Sequence, residues 1–199
     1  MYISERQWDQ RLRIVTTGLD ASHADLHHNP YEPTPYTVLH RLVEQGHVPP
    51  ESRWIDYGCG KGRVSFFLHS QTGCQITGVE FQEKLWQAAM DNFRTCGSPE
   101  GVEFVCASAE SYAVGDVDHF FFFNPFSVSI LQRVLSRILK SWYENPRDLR
   151  FFFYYPTDEY VSELMNSRLT FVEKLDCMDL FAVTDRREHI LIFEMNRLQ

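Results

Sequence analysis

The chain has no apolar stretch long enough to cross a bilayer, no Cys-x-x-Cys pair and no excess of basic side chains. The opening "MYISERQWDQRLRIV" carries charge throughout and fits neither a signal peptide nor a membrane span, so a soluble chain is expected, with no membrane partner. The five cysteines (Cys59, Cys74, Cys96, Cys106 and Cys177) are odd in number and sit mostly within or beside apolar runs. That usage argues against a disulfide framework or a zinc site and points to a reducing, cytoplasmic setting. With 27 acidic against 19 basic residues the net charge is −8. A phosphate backbone would be repelled over about 8 Å at physiological salt, so nucleic acid is not a favoured partner. Repeats, low-complexity tracts and linkers are also missing.

What is present is a core-forming composition: 199 residues, 44% hydrophobic and 15% aromatic, enough for one domain. Residues 1–50 read as a helical and loop cap and 51–199 as the main body. A polar helical start leads to "HHNPYEPTPY" (27–36), whose Pro30, Pro33 and Pro35 keep the preceding residues out of the helical region. "TVLHRLVEQG" then reads as a short helix stopped by Gly46.

Beyond it strands and helices alternate. "RWIDYG" (53–58), "QITGVE" (75–80), "VEFVC" (102–106), "VDHFFFF" (117–123) and "LRFFFYYP" (149–156) are strand-like, the last two as continuous apolar runs suited to strands buried on both faces. "RVSFFLHS", "EKLWQAAMDNF", "SVSILQRVLSRILKSWYEN" and "DEYVSELMNS" recur with helical period. "LTFVEKL" (169–175) and "HILIFEM" (189–195) close the chain as two strands. Five βα units and a terminal strand pair predict a Rossmann-like, doubly wound α/β sheet with an antiparallel end.

"DYGCGKGR" (56–63) leaves the first strand and opens the first helix of that sheet, where such sheets bind ligands. Gly58, Gly60 and Gly62 permit a tight turn, but Arg63 stands where a dinucleotide fingerprint needs spacing to its third glycine, and a Walker loop's Gly-Lys-Ser/Thr ending is absent. Asp56 would repel a pyrophosphate and suits a ligand with an ammonium and a sulfonium group, as S-adenosylmethionine has. Glu80 ends the second strand, placed to accept hydrogen bonds from both ribose hydroxyls, with Phe81 beside it to stack on adenine. Cys59, inside the loop, counts as a small contact residue rather than a nucleophile.

On "WIDYGCGKGR" and "ITGVE", residues 31–195 resemble a class I, seven-stranded S-adenosylmethionine-dependent methyltransferase. The resemblance implies the strand order 3-2-1-4-5-7-6 and S-adenosylmethionine as cofactor. It also implies an adenine contact at Ser108 or the Ala109 backbone, where relatives often have Gly-Asp-Ala. "NPF" (124–126) sits where the amine methylators of the superfamily carry Asn/Asp-Pro-Pro-Tyr/Phe, one proline short. Asn124 and Phe126 are therefore the catalytic candidates, against a plain reading in which Asn124 caps the next helix and Phe126 staples it. "YEPTPY" resembles a segment that closes over the methionine end of the cofactor, through Tyr31 and Thr34, with Glu32 available to a substrate ammonium.

The His23, Asp25, His27 and His28 group lacks a matching ligand cluster, and no metal is expected. Tyr154 and Tyr155 end the fifth strand beside the acceptor face as core or rim aromatics, and "TDRREH" (184–189) reads as a charged, solvated turn whose Arg186 and Arg187 an anionic substrate could otherwise use. The expected activity is methyl transfer to a nitrogen or oxygen nucleophile of a protein amine or small molecule. A partner protein that binds the cofactor without turnover, and an RNA methyltransferase, are the alternatives.

Overall fold

The computed structural model describes residues 3–18, 31–183 and 185–197. The histidine-rich segment singled out for metal binding lies outside the described residues. Two helices come first, α1 (Glu5–Leu12) and α2 (Tyr36–Glu44). Then follow β1 (Arg53–Tyr57), α3 (Arg63–Thr72), β2 (Gln75–Glu80), α4 (Glu83–Thr95) and β3 (Val102–Cys106). The chain continues as β4 (His119–Phe122), α5 (Val128–Glu144), β5 (Leu149–Tyr154), α6 (Asp158–Met165), β6 (Thr170–Asp176) and β7 (His189–Met195).

The strands form one seven-stranded sheet in the order β3-β2-β1-β4-β5-β7-β6, parallel except where β7 pairs with β5 and β6. This is the expected α/β, Rossmann-like topology, with one correction to the expected five βα units. No helix follows β3; residues 107–118 cross to β4 as an irregular loop. Its apolar residues Ala107, Ala109, Tyr112 and Val114 have no helical period, yet they pack on the same core that a crossover helix would cover.

The run Phe120-Phe121-Phe122 shows how the strand period sorts a uniform sequence. Phe120 and Phe122 face the layer of α5 and α6, while Phe121 faces that of α1 to α4. On the first face the Tyr57, Phe122 and Phe153 rings stack across three strands, with centroids 5.2 and 4.7 Å apart. On the second, Trp54 lies 4.9 Å from Phe152 and 4.7 Å from His119. Helix α5 buries Ile130, Leu131, Val134, Ile138 and Trp142, spaced as one apolar stripe requires. This rigid aromatic floor fixes where the carboxyl ends of β1, β2, β4 and β5 open.

Candidate active site

At those carboxyl ends lies a cleft of about 890 Å³. It is lined by Asp56, Gly58, Cys59, Glu80, Phe81, Ser108, Ala109, Asn124, Phe126, Tyr31 and Thr34, so the structure brings nearly every residue picked from the sequence to one place. Gly60, the remaining one, is tied to the cleft through its backbone: its N–H donates to Glu80 Oε2 at 2.9 Å.

The glycine loop is built by close approach on two sides. Gly58 has φ +72°, and a Cβ there would come 2.4 Å from Pro125 Cβ. Gly60 has φ +55°, and its Cβ would come 2.2 Å from the Tyr31 ring. Both positions demand a left-handed backbone and an absent side chain at once. The loop is further held by Gly58 and Cys59 N–H groups donating to the Val79 carbonyl at 2.8 and 3.2 Å. The Asn124-Pro125-Phe126 turn therefore touches the glycine loop directly at Gly58, although Pro125 lies 67 positions further along the chain.

Two buried carboxylates flank this loop. Asp56 is 3% exposed and accepts from Ser65 Oγ at 3.4 Å. Burial pushes its pKa up to about 7, with the Glu80 charge adding to the rise and the Ser65 hydrogen bond opposing it. Glu80 is 6% exposed; Oε1 accepts the Gln82 N–H at 2.9 Å while Oε2 accepts that of Gly60. A carboxylate oxygen accepts more than one such bond, so Glu80 can orient the loop and still serve a ligand's hydroxyls. The Cys59 thiol is held well above its ordinary pKa by burial and by the charges of Asp56 and Glu80, so it is no thiolate nucleophile at neutral pH.

The acceptor side is set by strand ends. Asn124 takes φ +39° and donates its side-chain amide to the Tyr155 carbonyl, tying the end of β4 to the end of β5. The residue before α5 in the capping position is Ser127, so Asn124 is not the cap of that helix. The Phe126 ring is 4% exposed and packs edge-on against Phe122, while its carbonyl accepts from Tyr160 Oη at 2.6 Å. Phe123 lines the cleft as well and meets Tyr154 at 4.7 Å. Tyr155 donates to Asp185 at 2.5 Å and carries the Arg187 guanidinium 4.1 Å above its ring, which accounts for that arginine within the protein. Arg186 pairs with Asp158 at 3.0 Å on the surface.

Tyr31 and Thr34 are buried and Glu32 is exposed at the rim. Ser108 accepts the Glu110 N–H on its hydroxyl at 3.3 Å, closing the turn that carries Ala109 along the cleft. Phe81, at 55% exposure, has its ring at the mouth. Sequence reasoning missed Phe123, Gln82, Leu85 and Ile130, which also line the cleft. Of these only Phe123 carried a signal, as the last apolar residue before the Asn124 turn.

The chemistry of the lining tests which ligand fits. It holds four acids, Glu32, Asp56, Glu80 and Glu110, and among the described residues Arg63 is its one Lys or Arg. That guanidinium is committed to Glu5, Thr16 and Thr34, which leaves a phosphate without a ready cation. Such a lining suits cationic and hydroxyl-bearing ligand groups better than a phosphate. Among the described residues no group of three or more His, Cys, Asp or Glu is placed to hold a metal.

Part of the chain is similar to known methyltransferases. Residues 55–145 match the family model described as a methyltransferase domain. A geranyl diphosphate 2-C-methyltransferase of Saccharopolyspora erythraea is 39% identical over 63 residues, 32% of this chain and 22% of that protein. A histone-lysine N-methyltransferase specific for H3 lysine-79, from Dictyostelium discoideum, is 38% identical over 50 residues, 25% of this chain and 3% of that protein. The chain thus spans less than a quarter of the length of these curated relatives. An RNA methyltransferase from Salinibacter ruber, solved with S-adenosyl-L-homocysteine, shares the fold with a TM-score of 0.57 at 18% identity, covering 84% of this chain and 95% of that one.

Proposed function

We propose that this chain, which carries the fold and the methyltransferase domain of the class I S-adenosylmethionine-dependent methyltransferases, transfers a methyl group to a nitrogen or oxygen nucleophile of a protein amine or a small molecule. The observation that carries the reading is the pair of buried carboxylates, Asp56 and Glu80, on either side of a positive-φ glycine loop, in a cleft whose arginine is already paired. In this reading residues 1–199 act as one methyltransferase domain, with 1–50 its cap.

Asp56 holds the cofactor's ammonium, Glu80 its ribose and the Ser108-Ala109 turn its adenine, with Phe81 covering the mouth. Tyr31 and Thr34 wall the methionine end. The cofactor supplies an electrophilic methyl on a sulfonium, so the protein's task is to hold a nucleophile in line with it, and positioning provides much of the rate. Asn124 is the polar side chain for that task. It is held rigid by its bond to Tyr155 and set beside the glycine loop by Pro125. Phe126, packed into the core, shapes the wall under it.

The acidic lining and the net charge of −8 favour a neutral or cationic acceptor over a nucleic acid. The lysine-specific relative is in keeping with an amine. The cytoplasm is the proposed setting. S-adenosylmethionine or S-adenosylhomocysteine should raise the melting temperature, and no shift with either at millimolar concentration would sink the reading. Methyl-labelled cofactor incubated with the protein and a fractionated lysate should then label the protein or small-molecule fraction. Label in RNA would reassign the acceptor, and tight binding without any label would make the chain a non-catalytic binder.

A further inference from the structure

Arg63 has a role that methyl transfer does not require of it. It occupies the first turn of α3, where the helix dipole disfavours a cation, and it is 3% exposed, where an unpaired cation is costly. Neither local propensity nor solvation places an arginine there; its partners do, and they come from α1 and from the segments on either side of the undescribed residues.

Its Nε donates to Thr16 Oγ1 at 2.7 Å, its Nη1 donates to the Thr34 carbonyl at 3.2 Å and to Glu5, and Nη2 lies 3.7 Å from Asp9. The guanidinium lies 4.3 Å from the Tyr36 ring centre. Asp9 holds the same strap: it accepts the Thr16 N–H and hydroxyl at 2.7 and 2.6 Å and the Tyr36 hydroxyl at 2.6 Å. The Thr16 carbonyl then accepts the Tyr31 hydroxyl at 2.7 Å, and the Tyr31 ring is the surface pressed on Gly60. Gly60 in turn donates to Glu80 at 2.9 Å. From the other side Asn92 takes the Val15 N–H at 2.8 Å and donates to the Lys61 carbonyl at 3.0 Å, so strap and glycine loop share one side chain.

We infer that Arg63, with Asp9, is a positioning residue that holds the glycine loop and Glu80 in their binding geometry through Thr16 and Tyr31. The ligand consequence rests on the function proposed above; the geometry does not. Loss of one link releases the ring that backs Gly60, frees the loop to sample other conformations and takes one ordered acceptor out of register with the ligand. The N-terminal cap is thereby part of the cofactor site although only Tyr31 and Thr34 of it carried a cofactor-binding prediction.

The test compares Tyr31→Phe, which keeps the ring and removes only its bond to Thr16, with Arg63→Lys and with Ile138→Val, which trims the core under α5 on the other face of the sheet and touches no member of the relay. S-adenosylhomocysteine titrations and amide exchange at Gly60 in the ligand-free protein are read beside the ligand-free melting temperature. Loss of one hydrogen bond should weaken ligand binding about fivefold in Tyr31→Phe and in Arg63→Lys. Gly60 exchange should rise by a similar factor in both, while Ile138→Val lowers the melting temperature and leaves both readings as in the wild type. Unchanged Gly60 exchange in the two relay variants, or an equal rise in Ile138→Val, overturns the inference. Wild-type protein that binds no S-adenosylhomocysteine while Gly60 exchange behaves as expected would refute the proposed function and leave the positioning role standing.

Discussion

Replacing Gly60 with alanine puts a number on how tightly the cap closes on the glycine loop. Two costs combine. A φ of +55° places the residue in the left-handed region, which costs a non-glycine residue about 1–2 kcal/mol. The new methyl would also lie 2.2 and 2.3 Å from Cε2 and Cδ2 of Tyr31. That ring cannot simply turn aside, because it is 9% exposed and anchored by its hydroxyl on the Thr16 carbonyl at 2.7 Å. Overpacking of this kind costs about 1–3 kcal/mol. Gly60→Ala should therefore lower the unfolding free energy by about 2–5 kcal/mol, read as a drop in the urea midpoint at unchanged slope. In a Tyr31→Ala background the steric part disappears and the same substitution should cost only about 1–2 kcal/mol. Equal costs in the two backgrounds would show that Tyr31 does not back the loop, and a cost near zero would refute the positive-φ geometry itself.

Asp56 and Glu80 yield two further predictions. The raised pKa of Asp56 means that its bound proton favours the fold fully below the ordinary carboxylate value, and that this contribution is lost as pH rises through about 7. Ligand-free wild type should thus lose stability from about pH 4 up to about pH 7 relative to Asp56→Asn, and change little above it. Affinity for S-adenosylhomocysteine, whose ammonium favours the ionised acid, should rise over the same window in wild type and stay flat in the variant; parallel profiles for the two proteins would refute the assignment. Glu80→Ala removes the acceptor of two backbone N–H groups as well as the ribose partner, so it should weaken cofactor binding by tenfold or more, on the order of 1.5–3 kcal/mol for a charge-assisted bond. Glu144→Ala, on the exposed end of α5, should leave binding as it is, and equal losses from the two changes would remove Glu80 from the site.

Much of this protein is written in short-range pattern. Period and run length alone mark all seven strands and place the C-terminal pair. The spacing from a strand end through glycines to the next strand's acid brings Asp56 and Glu80 to one edge, because covalent continuity leaves a strand end little choice of position. Those signals are local, and so are the interactions that produce them. The loop after β3 shows their limit: its alanines, tyrosine and valine cover the core without a helix, since burial needs apolar surface in the right place rather than a particular backbone period.

Other features depended on residues distant in the chain. The sequence allowed Asn124 to be a helix cap, but Tyr155, one residue past the end of the neighbouring strand, takes its amide. Phe126, a catalytic candidate or a helix staple on the sequence alone, lines the cleft and at the same time packs edge-on against Phe122 in the core. Arg63 read only as a departure from a nucleotide fingerprint until Glu5, Asp9, Thr16 and Thr34 surrounded it. Sequence by itself determined which acids and glycines gather at the sheet edge, because strand geometry propagates from residue to residue. Only the tertiary structure decided which side chains brace them, because a buried cation or a ring packed on a glycine is selected by whatever partners the fold brings within contact distance.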